Sequence, residues 1–112
     1  MQFSKELLKG TVEIIVLNSL KELGESYGYQ LVKAINAASG NLFELQEGTL
    51  YPLLYRLEDK GYVKSTKKTA PSGKERRYYS ITSNGKRALN DRRGELTLFM
   101  KGLKQALRLS SV

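Results

Sequence analysis

The chain has 112 residues, of which 40% are hydrophobic and 27% are charged, as expected for one folded domain with its own core. Its formal net charge of +8 favours an anionic partner such as nucleic acid. It has no cysteine and no histidine, which excludes disulfides, thiolate metal sites and the usual nucleophile–base pairs.

Two further patterns concern the setting in which the protein works. No apolar run reaches the ~18 residues that a membrane span needs. The first ten residues place charges within their apolar run and lack a small-residue cleavage pattern, so they do not resemble a secretion signal. We therefore expect a cytoplasmic protein, and the sequence indicates no cofactor and no metal.

The first predicted helix runs from Lys5 to Leu23, and Gly24 ends it. Its apolar stripe is broader than a lone surface helix needs, so we expect it to contact the core and also another helix or a partner subunit. The weak helix formers Gly10 and Thr11 are expected to loosen its first turns. The stripe consists of Leu7, Leu8, Val12, Ile14, Ile15, Leu17 and Leu20.

A second helix is predicted from a cap at Ser26 to about Ala38, followed by a break at residues 39–41. Gly28 lies in its first turn, where it is either a point of close approach by another backbone or a tolerated weak position. The sequence leaves both interpretations open. Residues 42–45 are predicted to be extended, as a small strand.

The third predicted helix runs from about Glu47 to Lys60, with Gly61 as its stop. Its apolar residues recur at helical spacing and should face the core. Pro52 cannot donate a backbone hydrogen bond, which predicts either a bend or a regular helix that starts only near Pro52. The predicted buried stripe is Leu50, Leu53, Leu54 and Leu57.

A β-hairpin is predicted from strands at residues 62–69 and 76–82. The connection at residues 70–73 has Pro71 and Gly73 at positions that suit a type I turn. Alternation along the second strand places Tyr79 and Ile81 on the inner face and Arg76, Tyr78 and Ser80 on the other.

The last predicted helix begins after a cap at Thr82 or Ser83 and reaches about Leu109. Its apolar stripe has no obvious place in a core that the earlier helices fill, which favours packing on a partner helix. The alternative is that it folds back on its own domain. The stripe consists of Leu89, Leu96, Met100, Leu103 and Leu107, with Phe99 beside it.

The residues from Lys60 to Arg77 carry seven positive side chains and one acid, Glu75. A short amphipathic helix followed by a cationic hairpin fits the grooves of duplex DNA, although a solvated hairpin is the alternative for any single lysine. A helix in the major groove presents its N-terminal residues to base edges, and a basic hairpin contacts phosphates. The candidate helix contacts are Gln46, Glu47, Thr49, Tyr51 and Arg56; the candidate hairpin contacts are Lys67, Lys68, Ser72, Lys74 and Arg76.

Other functions find less support in the sequence. Glu58 and Asp59 are adjacent and point in different directions around a helix, and no phosphate-binding glycine loop is present, so we do not expect an enzyme. A small-molecule-binding module, with DNA contact as a secondary property, is the alternative, because Phe99 and Met100 could line a cavity with the first helix. The candidate effector or dimer-interface residues are Leu8, Val12, Ile15, Leu96, Phe99, Met100, Leu103 and Leu107.

Four segments together resemble the PadR family of bacterial transcriptional regulators: GTVEIIVLNSL, YGYQLVKAI, EGTLYPLLYRLEDKGYV and GKERRYYSITSNGKRAL. The most specific matches are residues 48–52, Arg56–Glu58 with Gly61, and Tyr79–Thr82 with Gly85. The resemblance implies a mainly α fold with a small β-hairpin. The resemblance further implies that the chain divides into a winged helix-turn-helix in residues 1–82 and a C-terminal dimerisation helix in residues 83–112.

The resemblance also implies a repressor that dimerises through its first and last helices and releases DNA when an effector binds. It implies a recognition helix around Gln46 to Arg56, with Tyr51 as a phosphate contact, and a wing from Lys67 to Arg77. The single short C-terminal helix is similar to the small subfamily, whose drug-sensing members stack flat ligands on a tryptophan. This chain has no tryptophan, and Phe99 is the aromatic residue that could partly replace it for a small aromatic effector.

Overall fold

The computed structural model describes residues 3–110, which form five helices and three strands. None of the helices within residues 3–110 is long and apolar enough to cross a membrane. In chain order the elements are α1 (Lys5–Leu8), α2 (Val12–Leu23), β1 (Ser26–Tyr27), α3 (Gly28–Ala38), α4 (Glu47–Asp59), β2 (Val63–Thr69), β3 (Glu75–Ile81) and α5 (Ser83–Leu107).

The predicted first helix is in fact two helices, and the expectation of one helix from Lys5 to Leu23 is wrong. Gly10 adopts a φ of 85°, a left-handed conformation that glycine adopts readily and that interrupts the helix. The hydroxyl of Thr11 donates to the carbonyl of Leu8 at 2.8 Å and closes this turn. The helix is therefore interrupted here, whereas the weak helix formers Gly10 and Thr11 predicted only a loosening of its first turns.

The prediction that Ser26 caps the second helix is also wrong, because Ser26 lies in β1. Ser26 pairs with Tyr79 of β3, and its buried hydroxyl donates to the carbonyl of Gly24 at 2.9 Å. Helix α3 begins two residues later, where the side chain of Gln30 accepts a hydrogen bond from the backbone N–H of Tyr27 at 3.1 Å. Strand β1 extends the predicted hairpin to an antiparallel sheet of order β1–β3–β2.

Helix α4 follows the predicted pattern closely. Its four leucines are buried, and it begins at Glu47, so the alternative of a regular helix starting near Pro52 is wrong. Gly61 adopts a φ of 79° just after the helix, as the predicted stop requires. Residues 42–45 form no strand, which contradicts the prediction, because their backbone groups bond to side chains of α3 and its C-terminal turn instead of a neighbouring strand.

The hairpin has the predicted strands, and its turn is closed by a hydrogen bond from the N–H of Gly73 to the carbonyl of Ala70 at 2.9 Å. Directly paired residues share a face of the sheet, so the register of β2 and β3 defines two sets of side chains. The inner face carries Val63, Ser65, Lys67, Arg77, Tyr79 and Ile81; the outer face carries Lys64, Thr66, Lys68, Arg76, Tyr78 and Ser80. Tyr79 is fully buried, as the alternation predicted.

One core, formed by α2, α3, α4, the inner face of the sheet and the first turns of α5, holds these elements together. Leu89 of α5 is buried in it, which corrects the prediction that this residue belongs to a partner-facing stripe. Gly85 lies so close to Tyr62 that a Cβ atom there would come within 2.1 Å of the Tyr62 carbonyl oxygen. The first half of α5 is thus a fixed part of the domain.

A group of three charged side chains links α5 to the rest of the molecule. Glu13 on α2 accepts hydrogen bonds from Arg92 of α5 at 2.8 Å and from Lys60, which caps the end of α4, at 3.1 Å. Burial would raise the pKa of Glu13, but hydrogen bonds from Arg92 and Lys60 outweigh it and hold that pKa below its ordinary value. The charged form of Glu13 therefore connects α2, α4 and α5.

Candidate nucleic-acid interface

The N-terminal half of α4 presents a polar surface away from the core. The candidates Gln46, Glu47, Thr49 and Arg56 are all exposed. Gln46 and Glu47 lie at the start of the helix, and Thr49 and Arg56 lie along one side of it, outside the leucine stripe. Amide, hydroxyl and guanidinium groups of this kind can form hydrogen bonds with base edges in the major groove. Four of the five candidate helix contacts are therefore accessible.

Tyr51, the fifth candidate, is half-buried at the contact between α4 and the start of α3. A Cβ atom on Gly28 would lie 2.5 Å from the Tyr51 hydroxyl oxygen, so a larger residue there would require the Tyr51 ring to shift. This observation decides between the two interpretations of Gly28: it is a point of close approach, although by a side chain and not by a backbone. Burial, followed by the charges of Glu47 and Tyr55, raises the pKa of Tyr51, so its phenol is neutral and able to donate.

The inner face of the sheet continues from α4 into the hairpin. Arg77 donates to the hydroxyl of Ser65 at 2.9 Å, and that hydroxyl donates to the carboxylate of Glu58 on α4 at 2.6 Å. Lys67 lies opposite Arg77 on the neighbouring strand, 4.0 Å from the carboxylate of Glu75. Two candidate hairpin cations therefore lie on the α4 side, and one of them is tied to α4 by hydrogen bonds.

The outer face carries the other two candidate strand cations, Lys68 and Arg76, and each lies against an aromatic ring. The guanidinium of Arg76 lies 4.3 Å from the centre of the Tyr27 ring, and that ring meets Tyr78 edge-on at 5.4 Å. Lys68 lies 5.7 Å from the centre of the Tyr78 ring and forms an ion pair with Glu25. These contacts limit the rotamers of Arg76 and Lys68, so their charges have defined positions before any ligand arrives.

The turn of the hairpin projects beyond these contacts, and Ser72 and Lys74 are exposed there. The sequence interpretation did not include Tyr27, Tyr78 or Ser65 among the site residues, although they position the candidate cations. Tyr78 could have been found, because the period-two pattern places it on the face of Arg76. Tyr27 could not, because a two-residue strand leaves no periodic signal.

The candidate effector and dimer-interface residues divide between two surfaces. Leu8, Val12 and Ile15 line a groove of about 280 Å³ that continues along the segment between α3 and α4 to Gln46 and Thr49. On the other surface, the second half of α5 exposes an apolar stripe, with Leu96 half-buried at its start. The exposed members are Phe99, Met100, Leu103 and Leu107, and we refer to these four as the α5 stripe.

Comparison with known proteins agrees with this arrangement. Residues 16–91 match the transcriptional regulator PadR-like family. A transcriptional regulator from Clostridium thermocellum is 34% identical, with a TM-score of 0.81 over 92% of this chain and 96% of that one. A PadR family transcriptional regulator from Eggerthella lenta is also 34% identical, with a TM-score of 0.78 over 94% of this chain and 88% of that one. A curated but uncharacterised protein of Lysinibacillus sphaericus is 32% identical over 105 residues, which are 88% of this chain and 95% of that protein.

Proposed function

The chain belongs to the PadR-like family of transcriptional regulators, and we propose that it is a repressor that binds a pseudo-palindromic operator as a homodimer. The observation that carries this proposal is the position of a cationic hairpin directly beside the exposed polar side of α4. A regulator of this kind acts on chromosomal DNA in the cytoplasm. In this proposal residues 1–82 bind DNA and residues 83–112 hold the dimer together; residues 1–2 and 111–112 lie outside the described structure.

Helix α4 is the proposed recognition helix. Gln46 and Thr49 lie at its exposed N-terminal end, where a glutamine amide can bind an adenine edge and a threonine methyl can contact thymine. Glu47 can accept from cytosine, and Arg56, two turns further along, can contact either guanine or a phosphate. These exposed groups supply the sequence-dependent part of the interaction.

The hairpin is the proposed wing, and its cations supply affinity and register. In this proposal Lys67 and Arg77, on the α4 side, contact the phosphates that flank the major groove. Lys74 and Ser72 at the tip extend the contact along the backbone, and Arg76 and Lys68 present charge on the outer face. Tyr51 adds a neutral hydroxyl donor at the contact between α3 and α4, where a phosphate can accept from it. Because phosphate contacts are independent of sequence, they position the protein without choosing the site.

A second copy of this chain is the proposed partner of the α5 stripe. Leu107 is 59% exposed and Phe99 is 64% exposed, which would leave large apolar side chains in water in an isolated subunit. The groove beside Leu8, Val12 and Ile15 is apolar and offers a reciprocal surface. A symmetric pair of chains would cover both surfaces and place two α4 helices one DNA turn apart, roughly 34 Å.

Release of DNA by a small aromatic effector is part of the proposal. Phe99 and Met100 present an aromatic ring and a polarisable thioether at the surface that the second copy covers. A flat apolar compound between two such surfaces would change how the two copies pack. The second candidate function, a small-molecule sensor with secondary DNA contact, rests on the same exposed residues and differs only in the strength of DNA binding.

Selection from a random-sequence DNA duplex library tests the DNA-binding function. The expected result is enrichment of an inverted repeat, with log affinity that falls by ~0.9 for each phosphate neutralised as log salt rises. Lys74→Ala should weaken all sequences alike and reduce the salt slope, whereas Thr49→Ala should alter the preferred sequence. Lys101→Ala, which removes an exposed cation from α5, is the matched control for charge.

Two results would contradict the proposal. A wild-type protein that enriches no motif, or whose affinity does not respond to salt, lacks the proposed recognition. Sedimentation that finds a single subunit at micromolar concentration, and an unchanged distribution for Leu103→Glu, would contradict the proposed role of the α5 stripe. A small aromatic compound that raises the Tm without changing DNA affinity would favour the sensor function.

A further inference from the structure

In the segment between α3 and α4, side chains bond the backbone of two half-buried residues, Phe43 and Leu45. Residues 42–45 form neither strand nor helix, yet Phe43 and Leu45 are half-buried against the core. Backbone N–H and C=O groups that leave water need other hydrogen-bond partners. In this segment two side chains of the preceding helix and turn, Asn36 and Ser39, provide them.

Asn36 forms both of its hydrogen bonds with the backbone of one residue. Its amide nitrogen donates to the carbonyl of Leu45 at 3.1 Å, and its amide oxygen accepts from the N–H of Leu45 at 2.9 Å. The pair resembles the exchange of hydrogen bonds between two strands, with a side-chain amide in the place of one peptide group. Two bonds in opposite directions fix Leu45 against both translation and rotation.

Ser39 holds the same segment two residues earlier. Its hydroxyl oxygen accepts from the N–H of Phe43 at 3.0 Å, and the hydroxyl donates to the carbonyl of Asn36 at 3.0 Å. That carbonyl also accepts from the N–H of Asn41 at 2.8 Å, in a turn where Asn41 has a φ of 64°. The end of α3 and the entry to α4 are therefore joined through one small network.

This network ends at the residues that face DNA. Leu45 immediately precedes Gln46, the N-cap of α4, whose side chain makes no capping hydrogen bond. The leucine stripe fixes α4 from the core side, but apolar packing alone has no directional preference. The Leu45 contact adds a directional restraint at the end of the helix where Gln46 and Thr49 are exposed.

We propose that Asn36 is a positioning residue that determines how well the protein discriminates between DNA sequences. This inference rests on the proposed DNA-binding function and names a residue that does not itself touch DNA. Base contacts need hydrogen-bond geometry, whereas the wing's phosphate contacts tolerate small movements because charge attraction varies slowly with distance. Loss of Asn36 should therefore affect sequence preference much more than overall affinity.

The test compares Asn36→Ala with wild type on two duplexes: the one that wild type enriches from a random library, and a shuffled duplex of the same composition. The expected result is a fall in the ratio of the two affinities of about tenfold, the equivalent of roughly one base contact. Affinity for the shuffled duplex should change by less than about twofold, because the wing cations are intact. Ser39→Ala frees the N–H of Phe43 and removes the hydroxyl bond to the Asn36 carbonyl, but it leaves both Leu45 contacts, so it should give a smaller fall in the ratio.

Asn90→Ala removes an exposed amide from α5 and is the matched control, with no expected change in the ratio. An Asn36→Ala protein that loses affinity for both duplexes equally would show a general loss of folded protein and would overturn the inference. So would an unchanged ratio in a folded Asn36→Ala protein, whatever the result for Ser39→Ala. If Asn36→Ala does not fold, Ser39→Ala alone decides. A wild-type protein without any preferred duplex contradicts the proposed function itself, which separates the two failures.

Discussion

Replacing glycine by alanine in α5 is expected to destabilise the protein at one position and to stabilise it at two others. Gly85 lies in the first turn, where an added Cβ atom would be 2.1 Å from the Tyr62 carbonyl oxygen and 2.7 Å from a side-chain carbon of Ile81. Gly94 and Gly102 have nothing within 4 Å of the same added atom. They also lie on the side of the helix away from the α5 stripe, so a second copy would not cover them.

The magnitude for Gly85→Ala follows from what must move. The Tyr62 carbonyl accepts from the N–H of Thr82 at 3.0 Å, and the Thr82 hydroxyl caps α5 by accepting from the N–H of Gly85 at 3.0 Å. Relieving the overlap costs about 1–3 kcal/mol and strains a cap and a hydrogen bond worth roughly 1 kcal/mol each. The gain in helix propensity offsets about 1 kcal/mol, which leaves a net destabilisation of roughly 2–4 kcal/mol.

Gly94→Ala and Gly102→Ala keep the propensity gain without the overlap, so each should stabilise the protein by about 0.5–1 kcal/mol. Urea unfolding followed by circular dichroism measures all three variants under one set of conditions, at a fixed protein concentration because association of the proposed kind would change the apparent stability. If Gly85→Ala were as stable as Gly94→Ala, α5 would not pack against Tyr62 as described. The conclusion that the first half of α5 is a fixed part of the domain would then also be wrong.

Three further predictions concern two ionisable groups, the fully buried Tyr79 and the half-buried Glu13. The Tyr79 hydroxyl is buried without a hydrogen-bond partner in the described part of the chain. Tyr79→Phe should therefore raise the free energy of unfolding by about 1 kcal/mol, as measured by urea titration. A clear decrease in the free energy of unfolding would mean that the hydroxyl does form a hydrogen bond. Burial raises the pKa of Tyr79 to about 12, so wild type should lose stability as pH rises from 10 towards 12, and Tyr79→Phe should lose less in thermal melts across that range. Because the pKa of Glu13 is lowered in the folded state, its contribution is present above its ordinary value of 4.5 and is lost as pH falls through the folded value. Glu13→Gln should therefore flatten the acid limb of the stability curve, and exposed Glu22→Gln should not.

The sequence predicted those parts of the fold that repeat along the chain. The leucine spacing of α4 and the alternation of β3 each extend over enough residues to identify the buried side, and Leu50 and Tyr79 lie where these patterns place them. The predicted family and the mainly α fold with a small hairpin are confirmed by the match of residues 16–91 and by the solved relatives. Strand β1 was missed because Ser26 and Tyr27 become a strand only by pairing with β3.

Two of the errors share one physical origin, which is competition between local partners and partners that the fold brings close, whereas the break between α1 and α2 is local to Gly10 and Thr11. Ser26 has the side chain of a good helix cap, but its hydroxyl bonds to Gly24 once the strand pairs with Tyr79. Residues 42–45 have the apolar content of a strand, yet the amide of Asn36 takes the place of a neighbouring strand. Spacing within the sequence cannot reveal such contacts, because each depends on a residue that the fold brings close.

The position of Glu13 bears on how an effector could act, if the dimer forms through α5 as proposed. Glu13 joins Arg92 of α5 to Lys60 at the end of α4, and Arg93 donates to Asn18 of α2 at 2.6 Å, so α5 and α4 belong to one body. A ligand that shifts the α5 stripe against a second copy would then move each DNA-binding unit as a whole. The distance between the two α4 helices would change, while the contact of Asn36 with Leu45 within each unit would persist. An effector would therefore weaken binding to the paired half-sites much more than binding of one unit to a single half-site.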